Sequence, residues 1–174
     1  MDKCLTTCRG CCKFEKNALY FAPKITHEEI GKLRVKGFYK PVFYPFKNSK
    51  KVFQISLIKS KFSKNIFVCP YLDENTQKCG IYGLRPFDCR FWPFIFMHDK
   101  KKEKVLIAHF NKELCQITDT MSKTKFEDYL DKTLDDWVRK KNIIKIISKH
   151  PELIWDYEPD TFIIKEVNLI GKRI

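Results

Sequence analysis

Two stretches decide the reading of this chain: Cys4-Leu5-Thr6-Thr7-Cys8-Arg9-Gly10-Cys11-Cys12, and Cys69-Pro70-Tyr71-Leu72-Asp73 leading through Lys78-Cys79-Gly80-Ile81-Tyr82 to Leu84-Arg85-Pro86-Phe87-Asp88-Cys89-Arg90. Seven of the eight cysteines fall in them; Cys115 stands apart. Thiolates are soft donors that select zinc, copper(I) and iron–sulfur clusters over magnesium or calcium. The Cys8-x2-Cys11 spacing lets one short turn present two sulfurs to one centre. Gly10 inside that turn permits a positive φ, so that backbone amides can curl toward sulfur. The adjacent pair Cys11-Cys12 is different. Neighbouring side chains diverge, so the two thiols would serve two metals or two irons of a cluster, or one of them would be structural.

Working outward, the chain has 174 residues and is 44% hydrophobic, enough for a core of its own without covalent staples. The N-terminus lacks an apolar run of secretory type, and no stretch approaches about 20 unbroken apolar residues, so neither export nor a membrane span is expected. The default compartment is the cytoplasm, where thiols stay reduced and clustered cysteines point to metal or redox chemistry. Inert buried thiols and disulfides are the competing explanations, and clustering in two blocks argues against scattered inert thiols. A thiol redox enzyme would want Cys-x-x-Cys opening a helix after a core strand; Cys8–Cys11 lies too near the terminus for that. Zinc and an iron–sulfur cluster both remain open. The Cys11-Cys12 pair leans toward iron–sulfur, and the lack of a ferredoxin spacing leans toward zinc.

The formal net charge is +13. A lysine-coated surface accounts for it, metal-bound thiolates would lower it, and a surface for nucleic acid or an acidic partner would use it.

Local patterns predict an α+β class with antiparallel strands and packed helices. Phe14 to Pro23 reads as extended. Thr26-His27-Glu28-Glu29 is a capping box opening a helix that ends near Gly37. Pro41 and Pro45 forbid a regular helix through Phe38–Phe46. Val52–Ile58 and Asn65–Cys69 read as strands, and Asp73-Glu74-Asn75-Thr76 as a reversal between Cys69 and Cys79. Arg85-Pro86 suits a short helical turn. Phe94–Met97 and Val105–Phe110 form a hairpin around a charged turn at Asp99–Lys104. From Ser122, Phe126, Tyr129, Leu130, Leu134, Trp137 and Val138 follow helical spacing, a core stripe rather than a cofactor box. Pro151 opens a short helix and Thr161–Ile170 a last strand. Arg85 and Arg90 are placed to offset thiolate charge, and Asp73 and Asp88 to support ligands from outside the metal. His27, His98, His109 and His150 read as surface or capping residues before ligands, with His98, near the second block, the one that could also ligate. The aromatic strip Phe38–Phe53, interleaved with lysines, reads as core before it reads as a stacking surface.

The run Cys8-x2-Cys11-Cys12, followed at a distance by Cys69, Cys79-Gly-Ile-Tyr and Leu-Arg85-Pro86 with Cys89-Arg90, resembles the YkgJ-type cysteine-cluster family, described as a domain thought to chelate zinc or iron. The resemblance covers roughly the first two thirds of the chain. Two departures stand out: Cys4-x3-Cys8 has three intervening residues where the family usually has two, and Gly83 stands where a glutamate is common. A related branch is similar to the flagellin lysine-N-methylases, which implies an S-adenosylmethionine-dependent enzyme. Enzyme status rests on that resemblance alone, because no glycine-rich nucleotide loop follows a clear strand.

The expectation is therefore a small single α+β domain, with a cysteine-cluster metal-binding part over residues 1–120 and a helical extension over 121–174. Cys4, Cys8, Cys11, Cys12, Cys69, Cys79, Cys89 and Cys115 are the candidate metal ligands. The cofactor is zinc or iron, an iron–sulfur cluster included. The alternatives are a methylase-like enzyme acting on a protein substrate and a basic nucleic-acid-binding module with structural metal.

Overall fold

The structure, a computed structural model, describes residues 11–110, 122, 124–126, 128, 129, 132 and 143–167. Cys4, Cys8 and Cys115, the expected boundary at residue 120 and most of the stripe from Leu130 to Asn142 lie outside these residues. The class is α+β with antiparallel sheets. The chain divides into two compact units, Met1–Trp92 and Pro93–Ile174.

Among its described residues the first unit has eight short strands: β1 (Lys13–Glu15), β2 (Lys24–Thr26), β3 (Phe43–Pro45), β4 (Val52–Ile55), β5 (Ile58–Lys59), β6 (Ile66–Val68), β7 (Leu72–Asp73) and β8 (Lys78–Cys79). They pair as three sheets, β1-β6-β5, β2-β4-β3 and β7-β8. Two helices accompany them, α1 (His27–Val35) and α2 (Phe87–Phe91). The capping box forms in full. The Thr26 hydroxyl accepts the Glu29 N–H at 3.2 Å, and Glu29 Oε2 accepts the Thr26 N–H at 3.0 Å. Helix α1 ends at Val35, and Gly37 follows with φ +86°, the left-handed conformation only glycine adopts without strain. Pro45 sits in β3, an edge strand, where a missing N–H breaks no ladder. The expected extended run from Phe14 ends early: Lys16–Phe21 is a 3-10 helix. Those six residues contain no β-branched side chain, so local i→i+3 bonding wins over a strand.

Ile25, Ile30, Leu33 and Ile55 form the core of this unit, and Phe38, Phe43 and Phe53 of the aromatic strip pack against it. The tyrosines of the same strip do not: Tyr39 and Tyr44 are exposed. Each fully buried aliphatic of this set contributes about 1.5–3 kcal/mol. Cys69, Tyr71 and Ile81 belong to the same cluster, with Cys12 and Cys79 against it, so these three cysteines sit on the hydrophobic core itself.

In the second unit, β9 (Phe94–His98), β10 (Val105–Phe110) and β11 (Thr161–Val167) form a sheet in the order β11-β10-β9. The charged turn closes as expected, with Asp99 Oδ1 accepting N–H groups of Glu103 and Lys104. Residues 124–126, 128, 129 and 132 are helical, and α3 (Ile143–Lys149) precedes a 3-10 turn, Pro151–Leu153. Phe126 packs on His109 and Tyr129 on Phe94, so this part of the stripe is core. The histidines correct the sequence expectation in part. His27 is exposed and His150 is the N-cap residue of the Pro151–Leu153 turn, as expected, though buried; His109, by contrast, is fully buried between the rings of Phe94 and Phe126. Imidazole is apolar enough on its faces to serve as an aromatic core residue. Among the described residues no helix is long and apolar enough to cross a membrane.

Candidate metal centre

The two cysteine blocks meet through a β-ladder. β1 pairs with β6 with Lys13 opposite Val68 and Glu15 opposite Ile66. One step further along that register Cys12 faces Cys69, and the Cys69 N–H donates to the Cys12 carbonyl at 2.9 Å. The chain then turns sharply. Leu72 N–H donates to the Cys69 carbonyl at 2.9 Å, and the β7–β8 hairpin sets Cys79 opposite Leu72. The hairpin is tied by Asp73, whose carboxylate accepts the Asn75 and Thr76 N–H groups and the Thr76 hydroxyl. That bonding accounts for an Asp73 carboxyl held below its usual range, the Thr76 hydroxyl being the largest cause. Asp73 thus shapes the turn and does not face the sulfurs as a supporting ligand. Gly80 N–H donates to the Tyr71 carbonyl at 2.8 Å; a methyl group added at Gly80 would meet that oxygen at 3.4 Å, ordinary contact. The approach here comes from the hydrogen bond rather than from a missing side chain.

Cys89 arrives on α2, and two carboxylates fasten that helix to α1 and β2. Glu29 Oε1 accepts the Phe87 N–H at 2.7 Å and faces Arg90 Nη2 at 3.2 Å. Asp88 Oδ2 accepts the Lys24 N–H at 2.9 Å. Each oxygen of Glu29 therefore has a separate task, Oε2 capping α1 and Oε1 holding α2. Arg90 was expected beside the thiols; its guanidinium faces Glu29 instead. Arg85 stacks on Tyr82, 3.9 Å from the ring centre, and its charge acts on Cys79 to favour the thiolate.

Among the described cysteines, Cys12, Cys69, Cys79 and Cys89 act electrostatically on one another. Cys69 is buried; Cys11, Cys12, Cys79 and Cys89 are half-buried. None of the five is in a disulfide. Burial, and then the neighbouring charge of Cys12, push the Cys69 thiol up to about 12. Burial also raises Cys79 and Cys89, and for Cys89 the carboxylate of Asp88 adds to it ahead of the other sulfurs. Two backbone donors oppose this: the Tyr71 N–H on Cys69 and the Ile81 N–H on Cys79, each two residues beyond the sulfur it serves. Without a cation these thiols stay protonated. A divalent metal reverses that balance, because its charge at the sulfurs outweighs desolvation.

The donor set fits a thiophilic metal. It consists of soft sulfurs, and two of them already accept amide hydrogen bonds of the kind that stabilise a thiolate. The Tyr71 hydroxyl is buried and has no hydrogen-bond partner among the described residues; burial, and then the neighbouring Cys69 and Cys79, push its ionisation up to about 12. A thiolate held nearby by a metal would offer this hydroxyl an acceptor. Among the described residues, however, no three Cys, His, Asp or Glu side chains stand close enough to hold one ion as placed. The ladder brings the sulfurs to one region of the core without closing a coordination shell.

A comparison with protein families decides the assignment. The model of the CxxCxxCC family, described as "Putative zinc- or iron-chelating domain", matches residues 3–129. The chain belongs to the CxxCxxCC family. Both cysteine blocks fall inside the matched residues, as does Cys115. Comparison with curated proteins and with solved structures gives no match. The CxxCxxCC pattern itself explains why the cysteines were legible, whereas Glu29, Tyr71 and the Lys24–Asp88 bond were not. Glu29 gave a signal only as a local cap, and its bonds to Phe87 and Arg90 span 58 and 61 residues.

Proposed function

We propose that this protein is a metal-binding domain in which Cys12, Cys69, Cys79 and Cys89 supply thiolates to a zinc ion or an iron–sulfur cluster. Cys4, Cys8 and Cys11 are the proposed source of further ligands from the N-terminal run, and Cys115 is the last candidate. The observation that carries this reading is the β1–β6 register, which sets Cys12 against Cys69 on the core that also holds Cys79. Ligation requires the sulfurs to draw closer, through side-chain rotation about χ1. Metal bound there supplies charge neutralisation and a cross-link between the N-terminal run and the central segment. The protein's own part is to hold the sulfurs, direct the Tyr71 and Ile81 N–H groups at them, and exclude water. A reducing compartment, the cytoplasm by default, keeps such thiols available.

Anaerobic purification followed by counting of zinc, iron and acid-labile sulfide tests this. Zinc without sulfide assigns a thiolate zinc site; iron with sulfide and visible absorption assigns a cluster. A fully folded preparation with neither metal overturns the proposal.

A further inference from the structure

A second feature has no cysteine in it. Between β1, the 3-10 helix that follows and the β5–β6 hairpin lies an open depression of about 1080 Å³. Lys16, Lys59 and Lys64 line it with Asn17, Asn65 and Phe67. Glu15 is the one carboxylate of the lining, so positive charge prevails. The three lysines are exposed, with their charges in solvent rather than in the core.

The hairpin loop forming one wall is held in shape by Glu74. That carboxylate accepts the Ser60 hydroxyl and the Lys61 N–H, so it is engaged by the loop itself. The next residue, Phe62, is 69% exposed, although it is a large apolar ring flanked by Lys61 and near Lys64. Phe62 lies in the loop between Lys59 and Lys64, and the lining between those lysines combines amides with the apolar Ile66 and Phe67. Cations with an exposed ring and an apolar floor are the combination that single-stranded nucleic acid uses, since cations track phosphates and rings stack on unpaired bases. The depression has a volume at the upper end of small-molecule pockets and is open to solvent, and an open site suits a length of chain rather than an enclosed metabolite. Lysine, unlike arginine, meets phosphate as a point charge without fixing a base, so the site favours backbone over sequence.

We propose that this depression binds single-stranded nucleic acid, with Lys16, Lys59 and Lys64 on consecutive phosphates and Phe62 stacked on a base. No cysteine lines the site, and its test reads oligonucleotide binding rather than metal content.

The experiment uses the full chain and a fluorescein-labelled dT12 oligonucleotide, with fluorescence anisotropy as the readout. Three phosphate contacts predict that affinity falls about 20-fold between 50 and 200 mM salt. The triple variant K16E/K59E/K64E, whose changes are all at exposed positions, abolishes that salt dependence along with the binding. F62A weakens binding about tenfold and leaves the salt slope in place. Absence of binding at 50 mM salt overturns the proposal, as does a triple variant that binds like the parent. A duplex of equal length, or polyglutamate, that competes as well as the single strand also overturns it and assigns the depression to duplex or to acidic peptide.

Discussion

Glu29→Ala should damage the protein far more than the loss of a surface helix cap. The local part of its role is the capping box with Thr26, whose removal costs about 1 kcal/mol. The distant part is the Phe87 N–H, accepted at 2.7 Å by a carboxylate whose side chain is only 13% exposed. Leaving that donor without a partner adds about 1–3 kcal/mol. The ion pair to Arg90 adds little, since the Arg90 side chain is 39% exposed and water takes over its solvation. The expected total is about 2–4 kcal/mol. Thr26→Ala removes the local half alone and should cost about 1 kcal/mol. Glu29→Gln keeps a single carbonyl oxygen, which can serve α1 or α2 but not both, so it should fall between the two. Urea unfolding followed by circular dichroism measures all three, and metal retention after chelator challenge reports whether α2 still presents Cys89. A cost for Glu29→Ala no larger than that for Thr26→Ala would mean that Oε1 contributes nothing across the chain, and would refute its role in holding α2.

Serine in place of Cys12, Cys69, Cys79 or Cys89 should strip most of the bound metal from each variant, and elemental analysis after desalting reads this directly; full occupancy in all four would refute the ligand set. The raised thiols set a pH dependence of known sign. The metal-free protein holds Cys69 neutral up to about 12, against 9.0 for an unperturbed thiol. Its stability from this group is therefore complete below pH 9 and is lost as pH rises toward 12, whereas the metal-loaded form, already thiolate, should not show that loss. Because those thiols are protonated at pH 7, metal binding should release close to one proton per sulfur ligated, measurable by titration calorimetry in buffers of different ionisation enthalpy. Tyr71→Phe removes the buried hydroxyl without changing packing. It should leave metal-free stability unchanged or slightly higher and weaken metal retention, as a chelator competition would show; the reverse pattern would mean that the hydroxyl serves the fold and not the thiolates.

Local signals in the sequence carried much of the architecture. The capping box at Thr26–Glu29, the turn at Asp73–Thr76 and the charged turn at Asp99–Lys104 all depend on side chains bonding to backbone within a few residues, so adjacency in sequence already specifies the contact. The cysteine blocks were legible for a related reason, since a ligand run is a chemical pattern as well as a structural one. The 3-10 helix at Lys16–Phe21 was not legible, because its choice over a strand depends on small local differences. Nor was the fate of the aromatic strip, where Phe38, Phe43 and Phe53 turn to the core while Tyr39 and Tyr44 stay in solvent.

Residue types and spacings alone determined the class, the turns and the presence of a thiophilic cysteine set. Tertiary structure decided which cysteines come near one another and what holds them there. The β1–β6 register sets Cys12 against Cys69, and the two oxygens of Glu29 join α1 to the helix that bears Cys89. Such choices are made by burial and by backbone groups seeking partners across the whole unit, and no local stretch of chain contains the information needed to make them.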